Sequence, residues 1–184
     1  MARRDVRGEM IRGAAELLAT QGLQRTSFSE VLAATGAPRG SIYHHFPSGK
    51  DELVRAAVVS VGDGVVALID ALDATPAQVV DAFVDGWRAV LVGSDHRRGC
   101  AVAATSIGAD DAGPLLDVAA EVFRSWREAL ARALVRGGLG ASDADDLALT
   151  CLAVVEGALV LGRATRSDEV FGVAGRQLRR LLEA

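Results

Sequence analysis

Ten consecutive residues, Ala37-Pro38-Arg39-Gly40-Ser41-Ile42-Tyr43-His44-His45-Phe46, hold the side chains of this chain best suited to recognising another molecule. Ile42 and Phe46 lie four apart, so on a helix they share one stripe and point inward. Arg39, Ser41, Tyr43, His44 and His45 are left on the other faces, and each is a hydrogen-bond donor. Arg39 can bridge O6 and N7 of a guanine, or grip a phosphate. Gly40 costs up to about 1 kcal/mol in a helix, which makes sense where a phosphate or base edge must approach the backbone. Ala37 is a poor N-cap, which leaves the first amides of this helix for a phosphate oxygen. Lys50, the only lysine in the chain, opens the following helix and is well placed to contact a DNA backbone. On composition alone a solvated helical hairpin with an arginine, a tyrosine and two histidines on its surface remains an equal alternative. Metal binding does not fit, because adjacent helical residues diverge by about 100° and no third ligand is near.

Elsewhere the sequence holds no nucleophile–base pair, metal cluster or phosphate loop, and His96 sits alone in a loop, so enzymatic chemistry is not expected and no cofactor is called for. Cys100 and Cys151 are too few and too isolated for a disulfide framework or a zinc site, and read as small buried apolar residues. The 184 residues are half apolar with mean hydropathy +0.24, enough to bury a substantial core. A net charge of −4 argues against nucleic-acid binding over the whole surface. The charge is uneven: residues 1–55 carry eight Arg/Lys against six Asp/Glu, whereas residues 56–184 carry twelve against eighteen. A basic head on an acidic body is what a DNA-binding module joined to a different domain shows. Met1-Ala2-Arg3-Arg4 has no apolar signal core behind it. The most apolar stretch, Leu147 to Gly162, falls short of about 18 uncharged residues and contains Glu156. A cytoplasmic protein with no membrane span is expected.

The elements that position these residues are all helical, about nine in number. Met10, Ala14, Leu17 and Leu18 mark a first helix from about Asp5 to Gln21, stopped by Gly22. Ser27 with Glu30 is a capping-box signature for a short second helix, whose apolar face is Phe28, Val31 and Leu32. Thr35-Gly36-Ala37 breaks it, and Pro38 sits at the first position of a third helix. Pro47-Ser48-Gly49 ends that helix, and Ser48 caps a fourth running to about Leu72. Helix, tight glycine turn and helix within twenty residues make a helix-turn-helix. Beyond Pro76 the helices lengthen: Ala77 to Val92 with Val80, Phe83, Val84, Trp87 and Leu91 on one stripe, and a short segment from Gly99 to Gly108. Then follow Pro114 to Arg136 with Leu115, Val118, Val122, Phe123, Trp126, Leu130 and Leu134 inward, a helix capped by Ser142, and a last one from Asp168 to Leu182.

The stretch from Met10 to Leu53, above all Gly36 through Phe46 followed by Lys50-Asp51-Glu52-Leu53, resembles the DNA-binding domain of TetR-family repressors. Arg98-Gly99-Cys100-Ala101-Val102-Ala103 and the nine-helix layout look like the LmrA/YxaF-like branch. The resemblance implies an all-α fold, with a three-helix DNA-binding domain over residues 1–55 and a ligand-binding and dimerisation domain over residues 56–184. It implies DNA contacts at Thr26, Ser27, Arg39, Gly40, Ser41, Tyr43, His44, His45 and Lys50. Tyr43, His45 and Lys50 would meet phosphates, and Arg39 with Gly40 would read bases. Pro38 departs from the pattern, since a hydroxyl residue is common there, so sequence preference cannot be copied from relatives.

The resemblance further implies a homodimer formed through the last two helices and a small-molecule effector. The Leu147–Leu161 segment is apolar on almost every side, so it should be covered on several, one of them by a partner chain; Gly157 and Gly162 permit close helix approach. Leu152, Val155, Leu159 and Leu178 are the expected seam. Phe83, Trp87, Phe123 and Trp126, with Glu156, are the candidate effector contacts, against the alternative that the aromatics are core and Glu156 pairs with an arginine. A mainly apolar pocket takes an apolar or aromatic ligand. The expected function is a repressor released from a palindromic operator, and the alternative is a DNA-binding architectural protein without a ligand.

Overall fold

The computed structural model describes residues 5–110 and 113–183. Met1-Ala2-Arg3-Arg4 lies outside the described residues. Within them nine α-helices form and no strand does. Helix α1 (Val6–Gln21) starts where the Asp5 carboxylate accepts the Gly8 amide at 2.9 Å. It stops at Gly22, whose φ of +81° favours glycine. Ser27 caps α2 (Phe28–Thr35) by accepting the Glu30 amide at 3.2 Å, and Gly36 closes it in the left-handed conformation.

Helix α3 (Arg39–His45) begins one residue later than the sequence suggests, because Pro38 is itself the extended N-cap and has no side chain to bond the first turn. Helix α4 (Lys50–Asp70) is not capped by the Ser48 hydroxyl. Its first turn is closed by a carboxylate instead: the Ser48 amide donates to Glu52 Oε2 at 2.9 Å. Helix α5 (Pro76–Gly93) opens on a full capping box of Thr75 and Gln78. Then come α6 (Ala101–Gly108), α7 (Pro114–Arg136), α8 (Ala141–Thr165) and α9 (Glu169–Arg180). Ser142, expected as the cap of α8, lies inside its first turn; Gly140 holds the cap position.

The chain groups into two compact units. The first comprises residues up to Asp63 together with Cys100–Val122. Its core is Met10, Ala14 and Leu18 of α1, Val31, Ile42, Phe46, Val54, Val58 and Val102, all essentially inaccessible. Gly13 lets α1 lie close on α2, since a Cβ there would sit 2.5 Å from Thr35 Cγ2. Gly62 works similarly within α4: a Cβ would meet Val122 Cγ1 at 2.9 Å. Its role is close packing, and α4 runs unbroken past Gly62 and Gly64.

The second unit comprises Gly64–Gly99 and the residues from Phe123 onward. Here α5 packs on α8 and α9, and α8 packs on α9. Trp126 is wholly buried, with the Trp87 and Phe123 ring centres each 5.6 Å away. Phe123, expected inward, is only half-buried. By length and composition the 25-residue α8 could cross a membrane, longer than the Leu147–Gly162 run alone suggests. Its place argues otherwise: Leu147, Cys151, Leu152, Val155 and Leu159 are buried in the unit, so it is a core helix.

Candidate nucleic-acid interface

Ile42 and Phe46 anchor α3 from beneath, both at 0% exposure. The Arg7 guanidinium lies 5.2 Å from the Phe46 ring centre and covers its edge of the core. With that stripe fixed, Arg39, Gly40, Tyr43 and His44 form the exposed side of α3, and Ser41 and His45 are half-exposed. Arg39 and His44 make no hydrogen bond or ion pair with any described side chain, which leaves their donors for an outside acceptor. A Cβ added at Gly40 would meet nothing within 4 Å. The backbone there is bare, as close approach of a polyanion requires.

Two of the sequence-selected residues are already engaged. Thr26 is buried to 1% exposure; its hydroxyl donates to the Gly22 carbonyl at 2.9 Å and its amide to that of Leu23 at 3.2 Å. Its side chain therefore braces the α1–α2 turn and does not reach the surface. Lys50 Nζ donates to the Leu23 carbonyl at 2.8 Å, tying the start of α4 to that same turn. An ammonium has three N–H donors, so two are left for a phosphate. Ser27 is half-exposed; its hydroxyl accepts the Glu30 amide and lies 2.8 Å from that of Ser29. The Ser41 hydroxyl donates to the Pro38 carbonyl at 2.6 Å.

In the second unit the candidate effector residues separate. An apolar groove of about 320 Å³ runs between the last turns of α4 and the middle of α5. Phe83 and Trp87 line it with Val65, Leu68, Ile69 and Gly86. Phe123, Trp126 and Glu156 are not among its walls: Trp126 is sealed in the core, and Phe123 and Glu156 are half-buried elsewhere. The groove was missed in the sequence because its wall from α4 and the turn after it, Val65, Leu68, Ile69 and Leu72, reads as an ordinary core stripe, yet Leu68 is 73% exposed.

The residues expected at a dimer seam are buried within the chain itself. Leu152, Val155, Leu159 and Leu178 are at most 6% exposed in the single chain and hold α8 and α9 to their own unit. The opposite side of α8 carries Leu149, Ala153, Gly157, Val160 and Leu161, all exposed. Gly157 looks into open space, whereas a Cβ on Gly162 would strike Leu91 at 2.6 Å and the Ser167 carbonyl at 2.8 Å. Of these two glycines, Gly162 alone serves close packing within the chain. The three-to-four spacing from Leu149 to Val160 was readable in the sequence, but so was the buried stripe beside it. Among the described residues no three His, Cys, Asp or Glu side chains cluster to hold a metal ion.

Residues 10–57 match the model of the bacterial regulatory proteins of the tetR family. Residues 76–177 match that of the LmrA/YxaF-like C-terminal domain of transcriptional regulators. The chain is 36% identical to an HTH-type transcriptional regulator of Mycobacterium tuberculosis, over 97% of this chain and 94% of that one. This chain belongs to the TetR family. It is a transcriptional regulator with an N-terminal DNA-binding helix-turn-helix, and its C-terminal part is of the LmrA/YxaF-like kind. The regulator is also 30% identical to YxaF of Bacillus subtilis, over 87% and 86% of the two chains. Its fold matches a TetR regulator from Legionella pneumophila at a TM-score of 0.86 and 19% identity, covering 98% of each chain.

Proposed function

We propose that this regulator is a homodimeric repressor that leaves a near-palindromic operator when an apolar or aromatic small molecule binds its body. Residues 1–55 act as the DNA-binding part and residues 56–184 as the ligand-binding and dimerisation part, and the protein works in the cytoplasm, where its DNA is. The observation that carries the reading is the outer side of α3, where Arg39, Gly40, Tyr43 and His44 stand exposed on a helix pinned by two fully buried side chains. Arg39 and Gly40 read bases, Tyr43, His45 and Lys50 hold phosphates, and Thr26 acts only from within. Arg39→Ala relaxes base preference at one position per half-site and weakens each half-site by about 1–3 kcal/mol. Unchanged affinity and unchanged base preference in a selected operator would refute the assignment.

Two copies associate through the exposed side of α8, since the buried stripe beside it is already used. The effector occupies the groove beside Phe83 and Trp87, whose walls carry no charged side chain, so an uncharged ligand fits. One helix joins the two events: α4 begins at Lys50 and its last turns wall the groove. An effector that prefers one arrangement of α4 lowers DNA affinity by its own preference, typically about 1–3 kcal/mol. By linkage, operator DNA weakens effector binding by the same factor. A Cβ on Gly86 would meet nothing within 4 Å, so Gly86→Leu is the substitution to narrow the groove from its α5 wall. A screen of uncharged aromatic compounds should find one whose binding is lost in Gly86→Leu while DNA affinity is kept. A compound held equally well with and without saturating operator is not an inducer.

A further inference from the structure

Tyr43 is 68% exposed, an unusual place for an aromatic ring that must meet a ligand in one orientation. A ring on a bare helix surface turns between rotamers, and a contact made by its hydroxyl then costs the freedom lost on binding. Tyr43 does not stand bare. Its ring meets that of Phe28 edge to face, with centres 5.5 Å apart and planes at 82°, the arrangement the ring quadrupoles favour.

Phe28 is not among the sealed core side chains. It is the first residue of α2 and is only half-buried; the α2 and α3 side chains that close the core are Val31 and Ile42. Its own position is well fixed, because Ser27 caps α2 immediately before it. The pair thus couples the start of the first helix of the helix-turn-helix to the exposed side of the second. We infer that Phe28 is a positioning residue for DNA recognition, holding the Tyr43 ring in its DNA-contacting orientation without touching DNA itself. This rests on the reading of α3 as the DNA-facing helix.

The test is a double-mutant cycle on the full-length regulator with a selected operator duplex: Phe28→Leu, Tyr43→Ala and the pair. An edge-to-face contact of ordinary strength corresponds to about 2- to 10-fold in affinity per half-site. Phe28→Leu is expected to weaken binding by that factor in the parent and to have no further effect in the Tyr43→Ala background. Phe28→Tyr, which keeps a ring, is expected to restore parental affinity. Thermal unfolding of Phe28→Leu in both backgrounds separates a loss of fold from a loss of positioning.

Tyr43 is the only tyrosine in the chain, so its ring protons are identified without ambiguity by NMR and report ring-current shifts from Phe28 in the absence of DNA. Those shifts should collapse in Phe28→Leu and persist in Phe28→Tyr. Additive losses in the cycle, or ring shifts unaltered by Phe28→Leu, would overturn the inference and leave the α3 reading intact. No loss of affinity in Tyr43→Ala would instead overturn the assignment of Tyr43 to the DNA contact, and with it this role.

Discussion

Lys50→Ala should damage the fold and the DNA contact separately, in amounts that can be read independently. The Lys50 ammonium donates to the Leu23 carbonyl at 2.8 Å from a half-exposed position. A hydrogen bond from a charged group contributes about 1.5–3 kcal/mol; partial exposure to solvent reduces this to about 1–2 kcal/mol. In a chain of this length each kcal/mol moves the midpoint by about 2–4 °C, so a Tm lower by about 2–8 °C is expected. The bond to Leu23 uses one of the three N–H donors of the ammonium and leaves two for a phosphate. Each phosphate neutralised adds about 0.9 to the slope of log affinity against log salt, so a dimer lacking both lysines should lose about 1.8 from that slope. The assays are thermal unfolding without DNA and fluorescence anisotropy with a labelled operator at four or more salt concentrations. A parental salt slope would refute the phosphate contact, and an unchanged Tm would refute the tie to the α1–α2 turn.

Two further outcomes follow from α8. Val160→Arg on its exposed face should give a folded monomer by light scattering at micromolar concentration, whereas Leu159→Ala on its buried face should cost about 2–5 kcal/mol of stability. A dimeric Val160→Arg would move the seam elsewhere. Burial pushes the Cys151 thiol up to about 12, so at pH 8 in the native protein it should resist alkylation that proceeds readily in denaturant, as peptide mapping by mass spectrometry would show. Because its pKa is raised on folding, its contribution to stability is complete below the ordinary thiol value and is lost as pH climbs towards 12. Native labelling as fast as in denaturant would contradict its burial.

The helices were legible because their signals are local. Asp5, Ser27 and Gly36 cap or stop their helices where the sequence says so, and Pro114 to Arg136 is one helix with the bounds read from it. The departures occur where a competing group takes the role. Glu52 reaches back to the Ser48 amide in place of a serine cap, and Pro38 itself becomes the cap of α3. The exposed side of α3 was equally legible, since Ile42 and Phe46 determine which side faces inward and the rest follows from a period of 3.6. What could not be read was tertiary choice. Thr26 looks like any surface hydroxyl until the α1–α2 turn folds over it. In α8 two apolar stripes lie side by side, and periodicity alone does not say whether Leu159 or Val160 faces inward. The aromatics Phe83, Trp87, Phe123 and Trp126 share one chemistry, and only packing divides groove wall from core.

The most direct test of the central claim is selection of bound duplexes from random DNA by the full-length regulator, repeated with Arg39→Ala. A dimer presenting two α3 helices to one face of the duplex predicts an enriched near-palindrome. Its half-site centres should lie one helical turn, about 34–36 Å, or a multiple of it apart. In Arg39→Ala the preference should vanish at one position in each half-site and persist at the others. Enrichment of a single unrepeated site, or an identical preference from both proteins, would contradict the account.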